Sequence, residues 1–208
     1  IDVKVEPISI LDEDFESQVG KHKRTKTKAA EIEHAIRHHL DVDLDDDPDL
    51  QASFAEALAK IFEEFRDNWQ KIYDELEKLR QRIRSASQEP TYGLDRKKQM
   101  PFFRMFRREL EAAWEEHPDY GGKEDERVSV LVDLTQKVFN TVERELKLTG
   151  FWESIPARNR LKAELQNVLL LPDFAKLPDV VRSRAHLISR IMEIAEKNND
   201  TIVYAEGS

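Results

Sequence analysis

The chain has 208 residues, 36% of them charged, and a formal net charge of −9 at pH 7. This acidic balance argues against a general DNA-binding protein, because attachment to phosphates needs clustered positive charge. The absence of cysteine excludes disulfide bonds, thiolate catalysis and cysteine–zinc sites, and it is typical of a reducing, cytoplasmic setting.

The first 24 residues are interpreted as a lead-in segment and a basic linker. Residues 1–10 alternate weakly in hydropathy and include Pro7, which predicts a short extended segment. LDEDFESQVG predicts one or two helical turns ending at Gly20, before the basic run KHKRTKTK at 21–28. Because the chain begins at Ile1 instead of methionine, we expect it to be a piece of a longer protein.

A helix is predicted from about Lys26 to Leu40. Its apolar residues form one stripe at 3-4-4 spacing, namely Ala29, Ile32, Ile36 and Leu40. The acidic run DVDLDDDPD ends this helix and begins the next. Asp47 is predicted to cap that next helix, with Pro48 at its first position, where the missing N–H costs nothing.

The clearest feature is a single long helix predicted from Pro48 to Arg84, on the order of 55 Å at 1.5 Å per residue. Its apolar residues recur with the α-helical period: Phe54, Leu58, Ile61, Phe65, Trp69, Ile72, Leu76, Leu79 and Ile83. Three i,i+4 ion pairs are expected on its outer face, Glu56–Lys60, Asp67–Lys71 and Asp74–Lys78. A helix this long needs neighbours, so we expect it to be the centre of a bundle.

Further helices are predicted near 101–117, 128–146, 154–171 and 178–195, separated by loops rich in glycine and proline. The predicted fold is therefore all-α, a multi-helix bundle of about seven helices built around the long one. The helical domain is expected at 25–200, with a subdivision near 87–100, and a tail is expected at 201–208. No stretch approaches the ~20 apolar residues of a membrane span, so no contact with a membrane is expected.

Three histidines lie in EIEHAIRHHL at 31–40, and His34 and His38 share one helix face. Their spacing is that of the two zinc ligands in the HExxH protease motif, but Ala35 stands where that motif has its glutamate. A zinc site is therefore the less favoured alternative. We expect His34, Arg37 and His38 to form a surface that meets acidic groups of a neighbouring domain.

Two basic patches are candidate contacts with an acidic partner or with DNA. One is KHKRTKTK at 21–28, and the other is RKKQMPFFRMFRR at 96–108, which interleaves cations with three phenylalanines. Cations with aromatic side chains can hold a nucleic-acid strand, but we favour burial of these phenylalanines in the core. With the histidine-bearing helix, the candidate contact residues are Lys21, Lys23, Arg24, His34, Arg37, His38, Arg96, Lys97, Lys98, Arg104, Arg107 and Arg108.

Motifs of catalysis are missing from the sequence. There is no glycine-rich phosphate loop and no GxSxG motif, and nothing singles out a carboxylate pair for acid–base work. The aspartate run resembles an EF-hand loop only in part, since Asp46 replaces its glycine and Ala52 its final glutamate. The residues alone therefore predict a non-catalytic helical module with no metal or cofactor of its own.

Seven segments follow one another from about Ile8 to Asp200: ISILDEDF, KAAEIEHAIRHHLDVDLDDDP, FAEALAKIFEEFRDNWQKIYDELEKLR, GLDRKKQMPFF, LVDLTQKVFNTVERELKLTGFW, RNRLKAEL and LISRIMEIAEKNND. In this order they resemble the C-terminal region of type I restriction enzyme R subunits. The EHAIRHHL–DP spacing and TGFW are the most specific pieces. The tract EEHPDYGGKEDERVSV does not follow the family pattern.

The resemblance implies that the parent protein is an ATP- and Mg²⁺-dependent, type I site-specific deoxyribonuclease. Its nuclease domain and two helicase-like motor lobes would precede this region, and none of their motifs occurs here. The resemblance also implies that the helical region joins the methyltransferase (M) and specificity (S) subunits and braces the motor while DNA is translocated and cleaved. Expected partners are therefore the M and S subunits and the motor and nuclease domains of the parent chain. Contact with DNA through the two basic patches is the alternative.

Overall fold

The computed structural model describes residues 9–116, 124–175 and 178–204, without the side chains of 111–116, 175 and 178–183. Every regular element in these ranges is a helix, which confirms the predicted all-α fold. The chain divides into two compact units, Ile1–Pro90 and Thr91–Ser208, at a point inside the interval 87–100. The extended segment predicted at 1–10 falls almost wholly outside the described residues.

The first unit contains four helices, α1 (Phe15–Gly20), α2 (Thr25–Val42), α3 (Pro48–Phe65) and α4 (Trp69–Ser87). The most extensive packing is between α2 and α4, and α3 packs against both. The apolar stripe predicted for α2 is buried in this core. Ile10, Phe15 and Val19 are also buried there, so part of the segment interpreted as a lead-in belongs to the packed unit.

The prediction of one continuous helix from Pro48 to Arg84 is wrong, because α3 and α4 are separate helices joined by a turn at 66–68. Arg66 ends α3 with a φ of 39°, on the side of the Ramachandran plot that interrupts a right-handed helix. Asn68 then caps α4, since its side-chain oxygen accepts a hydrogen bond from the backbone N–H of Lys71 at 3.2 Å.

The two helices fold back on each other as a hairpin. They pack together, and the guanidinium of Arg82 near the end of α4 lies 6.0 Å from the ring of Phe54 near the start of α3. Of the three expected ion pairs, Glu56–Lys60 is present at 2.8 Å. Asp67 instead lies in the turn, and Lys78 pairs with Glu75 at 2.6 Å.

The predicted cap at the start of α3 is confirmed. Asp47 is almost fully buried, and its carboxylate accepts a hydrogen bond from the backbone N–H of Leu50 at 3.0 Å, with Pro48 at the first helical position. The side-chain amide of Gln51 donates to the carbonyl of Leu40 at 2.8 Å. This bond satisfies a free carbonyl at the end of α2 and fixes α2 to α3.

The second unit contains α5 (Met100–Glu116), α6 (Glu124–Leu146), α7 (Ile155–Leu169), α8 (Pro172–Ala175), α9 (Pro178–Lys197) and α10 (Asn199–Tyr204). Helix α5 packs on α6 and α9, and α7 packs on the same two helices. The tail expected at 201–208 begins within α10, where Ile202 is buried. The described residues thus hold ten helices, seven of them with 15 residues or more.

No helix among the described residues combines the length and the hydropathy that crossing a membrane would require.

Candidate partner-contact surfaces

The outer side of α2 carries a line of exposed residues, which we call the α2 edge: Arg24, Thr27, Ala30, His34 and Arg37. The steps of 3, 4 and 3 residues from Thr27 to Arg37 place these four along one face of the helix, and Arg24 is the extended N-cap residue before its first turn. Cationic or titratable side chains stand at the two ends, and small side chains lie between them. Arg24 and His34 are ten residues apart, or about 15 Å along a helix.

The histidine cluster is divided between surface and interior. His34 is exposed, His38 is half-buried, and Arg37 is exposed and donates through Nε to Glu33 Oε1 at 3.0 Å. His39, which the sequence analysis did not select, is 5% exposed. Its Nδ1 lies 2.6 Å from Asp43 Oδ2 and so holds the last turn of α2.

The basic run at 21–28 crosses the turn from α1 into α2. Lys21, Lys23 and Arg24 are exposed. The run is anchored on both sides, because Lys26 Nζ lies 4.7 Å from the ring of Trp69 and His22 Nε2 lies 3.4 Å from a carboxylate oxygen of Glu31. The three exposed cations are therefore displayed on a turn that the first unit holds in place.

The second basic patch begins in a turn organised by Asp95. Its carboxylate accepts hydrogen bonds from the backbone N–H groups of Lys97 at 2.9 Å and Lys98 at 2.7 Å. The backbone N–H of Asp95 donates to the side chain of Gln99 at 2.8 Å. The turn leaves Arg96 and Lys97 exposed and Lys98 half-buried, directly before α5.

The three phenylalanines of this patch are core residues, as predicted. Phe102, Phe103 and Phe106 are each 0% exposed. The Phe102 ring meets that of Phe139 edge to face at 6.2 Å between centroids. The patch therefore presents cations without the aromatic rings that would stack on bases.

The arginines of α5 differ in exposure. Arg104 and Arg107 are half-buried, whereas Arg108 is exposed, with Nη2 at 3.2 Å from Glu109 Oε1. Because the unit boundary lies at Pro90, the patch at 96–108 belongs to the second unit and the run at 21–28 to the first.

Arg80 is a buried charged residue that the sequence did not predict. It is 0% exposed; its Nε donates to Glu77 Oε2 at 2.9 Å, and its Nη2 donates to Glu16 of α1. The guanidinium also lies 5.4 Å from the ring of Phe15. The available sequence signal was weak: position 80 lies four residues after Leu76, and therefore on the buried side of α4.

Charge and burial around Arg80 also affect Tyr73. Burial, together with the carboxylates of Glu77, Asp74 and Glu16, raises the pKa of the Tyr73 phenol above its ordinary value, and Arg80 opposes this rise.

His34 and His38, the pair considered as zinc ligands in the less favoured alternative, have no third ligand among the described side chains. Across this part of the chain, no group of three histidine, aspartate or glutamate residues is placed to hold a metal ion. The aspartate run contributes the cap Asp47 to α3.

Comparison of the chain with models of protein families, with curated proteins and with solved structures finds no match in any of the three.

Proposed function

We propose that this chain is the helical C-terminal module of a type I restriction enzyme R subunit and that it joins the subunit to the M–S core. In this role it would support ATP-dependent translocation and cleavage of DNA by the parent protein. The observation that carries the proposal is the ordered set of sequence segments resembling that family, which extends over both compact units.

The α2 edge supports a role in assembly, because the most specific of those segments, EHAIRHHL, lies in the helix that carries it. Small side chains between the cations allow a partner surface to approach the helix backbone closely. Arginine is a frequent anchor of protein interfaces, and complementary charge speeds and orients docking. The Glu33 contact holds Arg37 along the helix, so less side-chain freedom is lost when a partner binds.

The test is capture of the purified M–S core by the chain, with and without DNA. We expect capture in both cases, and we expect the double variant His34→Ala/His38→Ala to weaken it while circular dichroism shows an intact fold. Arg37→Glu should weaken capture at the same edge by reversing an exposed charge. Failure of the unaltered chain to capture the core would overturn the proposal.

Lys60→Ala/Lys78→Ala is a matched control, because both lysines are exposed on other helices of the same unit and lose only a surface ion pair. If this control weakened capture of the M–S core as much as the α2-edge variants do, the loss of capture would not be specific to the α2 edge. The α2 edge would then be removed from the proposal.

The alternative proposal is that the chain contacts DNA, and the exposed cations Lys21, Lys23 and Arg24 favour it. Because the phenylalanines at 102–106 are buried, contact through the second patch would involve phosphates and the cations Arg96, Lys97 and Lys98. Affinity for duplex DNA should then fall steeply with salt. Lys21→Glu/Lys23→Glu/Arg24→Glu should lower the slope of log affinity against log salt by up to about 3, at ~0.9 per lost phosphate contact. An absence of DNA retention at low salt would remove this alternative.

A further inference from the structure

A groove of about 540 Å³ lies between α7 and α9 of the second unit. Helix α7 lines it with positions 155, 158, 159 and 162, and α9 lines it with positions 189, 192, 193 and 196. Both sets have the spacing i, i+3, i+4, i+7, so each helix contributes one continuous face. A channel between two such faces has the shape that a third helix fills.

Three of the nine residues that line the groove are apolar. Met192 is 8% exposed, Trp152 is half-buried, and Ile155 is 63% exposed at the first turn of α7. The indole of Trp152 is held in place, because its Nε1 donates to Asn199 Oδ1 at 3.0 Å and its ring meets Phe151 edge to face. A fixed aromatic ring beside an exposed isoleucine is a surface that a partner's apolar side chains would cover.

The two walls of the groove carry opposite charges. Arg158 and Lys162 line the α7 side, and Glu193 and Glu196 line the α9 side. Glu193 also accepts a hydrogen bond from Arg190 of its own helix. A partner with acidic residues toward α7 and basic residues toward α9 is favoured, whereas a partner with one sign of charge on both edges is repelled by one wall.

Arg158 adds an unsatisfied donor to the basic wall. Its Nε is buried, and it has no hydrogen-bond acceptor among the described residues. A buried donor without an acceptor is unfavourable, and a carboxylate is the strongest acceptor for a guanidinium. An acidic side chain from a partner, seated against α7, would compensate the charge of this guanidinium.

We propose that the α7–α9 groove binds an amphipathic helix of a partner protein, with an apolar stripe between one acidic edge and one basic edge. A second copy of this chain is a poorer occupant, because two concave grooves do not fill each other. The inference goes beyond the proposed function, since it assigns a binding surface in the second unit that does not depend on the α2 edge.

The experiment uses the full chain and two synthetic helical peptides with the same leucine stripe. The probe peptide has glutamates along one edge and lysines along the other, and the comparison peptide has lysines along both edges. Fluorescence anisotropy should show that the unaltered chain binds the probe at least about tenfold more tightly. The variant Arg158→Glu/Lys162→Glu, in which both walls are acidic, should reverse this preference.

The control Lys137→Glu/Lys147→Glu makes the same change of net charge outside the groove and should keep the original preference. Should the reversed variant fail to fold, Arg158→Gln/Lys162→Gln should reduce the preference without reversing it. Equal affinity of the unaltered chain for the two peptides would overturn the inference. So would dimerisation in sedimentation equilibrium that the reversed variant abolishes, because the groove would then belong to a second copy.

Discussion

Arg80 and Glu16, 64 residues apart in the sequence, form an ion pair that fastens α1 to α4 in the first unit. The pair is asymmetric, because the Arg80 side chain is 0% exposed whereas that of Glu16 is 62% exposed. The arginine therefore depends on its partners for compensation of its charge, while the glutamate keeps much of its hydration.

This asymmetry predicts that removing the carboxylates costs more than removing the arginine. Glu16→Gln/Glu77→Gln leaves a buried guanidinium without a counter-charge and should lower the free energy of unfolding by about 3–5 kcal/mol. Arg80→Met keeps most of the packing volume and leaves two partly hydrated carboxylates, so its cost should be lower, about 1–3 kcal/mol. Urea denaturation measures both, with Glu63→Gln/Glu64→Gln on α3 as an exposed control. The reverse order of the two costs would contradict the asymmetry.

The turn between α3 and α4 predicts whether a glycine substitution at Arg66 stabilises or destabilises the chain. Since Arg66 has a φ of 39°, Arg66→Gly should relieve strain and raise the free energy of unfolding by up to about 1 kcal/mol. If residues 48–84 formed one continuous helix, the same change would instead destabilise the chain by about 1 kcal/mol. Urea denaturation distinguishes the two signs, and Asp67→Gly serves as the neighbouring control.

The N-cap residue of α4, Asn68, allows a separate test of whether a turn divides α3 from α4. Asn68→Ala removes the side-chain acceptor for the Lys71 N–H and should cost about 0.5–2 kcal/mol. Asn68→Asp keeps an acceptor at the helix N-terminus and should cost little. Equal stability of the alanine and aspartate variants would show that no cap forms at this position.

In the second basic patch, substitution of a phenylalanine and substitution of a cation should have different effects on stability. Phe102→Ala should lower the free energy of unfolding by about 3–5 kcal/mol, because it empties a fully buried site beside Phe139. Lys97→Ala, on the exposed turn, should leave stability unchanged. A Phe102→Ala variant of normal stability would contradict the burial of this ring.

The raised pKa of Tyr73 predicts a loss of stability at alkaline pH. The folded state favours the neutral phenol, so Tyr73 contributes fully to the free energy of unfolding at pH values below its ordinary pKa of 10.0. This contribution is lost as the pH rises through the higher pKa of the folded state. Tyr73→Phe removes this ionisation. Above about pH 10, the free energy of unfolding of this variant should therefore fall less than that of the unaltered chain. Parallel stability curves for the two proteins would contradict the prediction.

Local chemistry accounts for the features that the sequence predicted correctly. The buried stripe of α2, the Asp47 cap and the burial of Phe102 each depend on residues within one or two helical turns. The turn at 66–68 was missed because Phe65 and Trp69, at the ends of two different helices, are four residues apart and preserve the helical period. The Asp67–Asn68 pair, which favours a turn and a cap, was the signal available there.

Features that join distant segments are not encoded in local sequence patterns. The burial of Arg80 depends on Glu16 in a separate helix, and no periodicity within α4 reveals that contact. The groove needs α7 and α9 side by side, with Arg158 and Glu193 35 positions apart in the sequence. The candidate cations could be named from composition, but their exposure depends on which side of each helix the core covers.

The division after Pro90 has a consequence for the evolution of the chain. Each unit has its own set of buried apolar residues, and the two sets have no member in common. Substitutions that reshape one interior therefore need no compensating change in the other. Recombination between related genes near this junction would leave each set of buried apolar residues with a single parent, so neither core would combine side chains from two lineages.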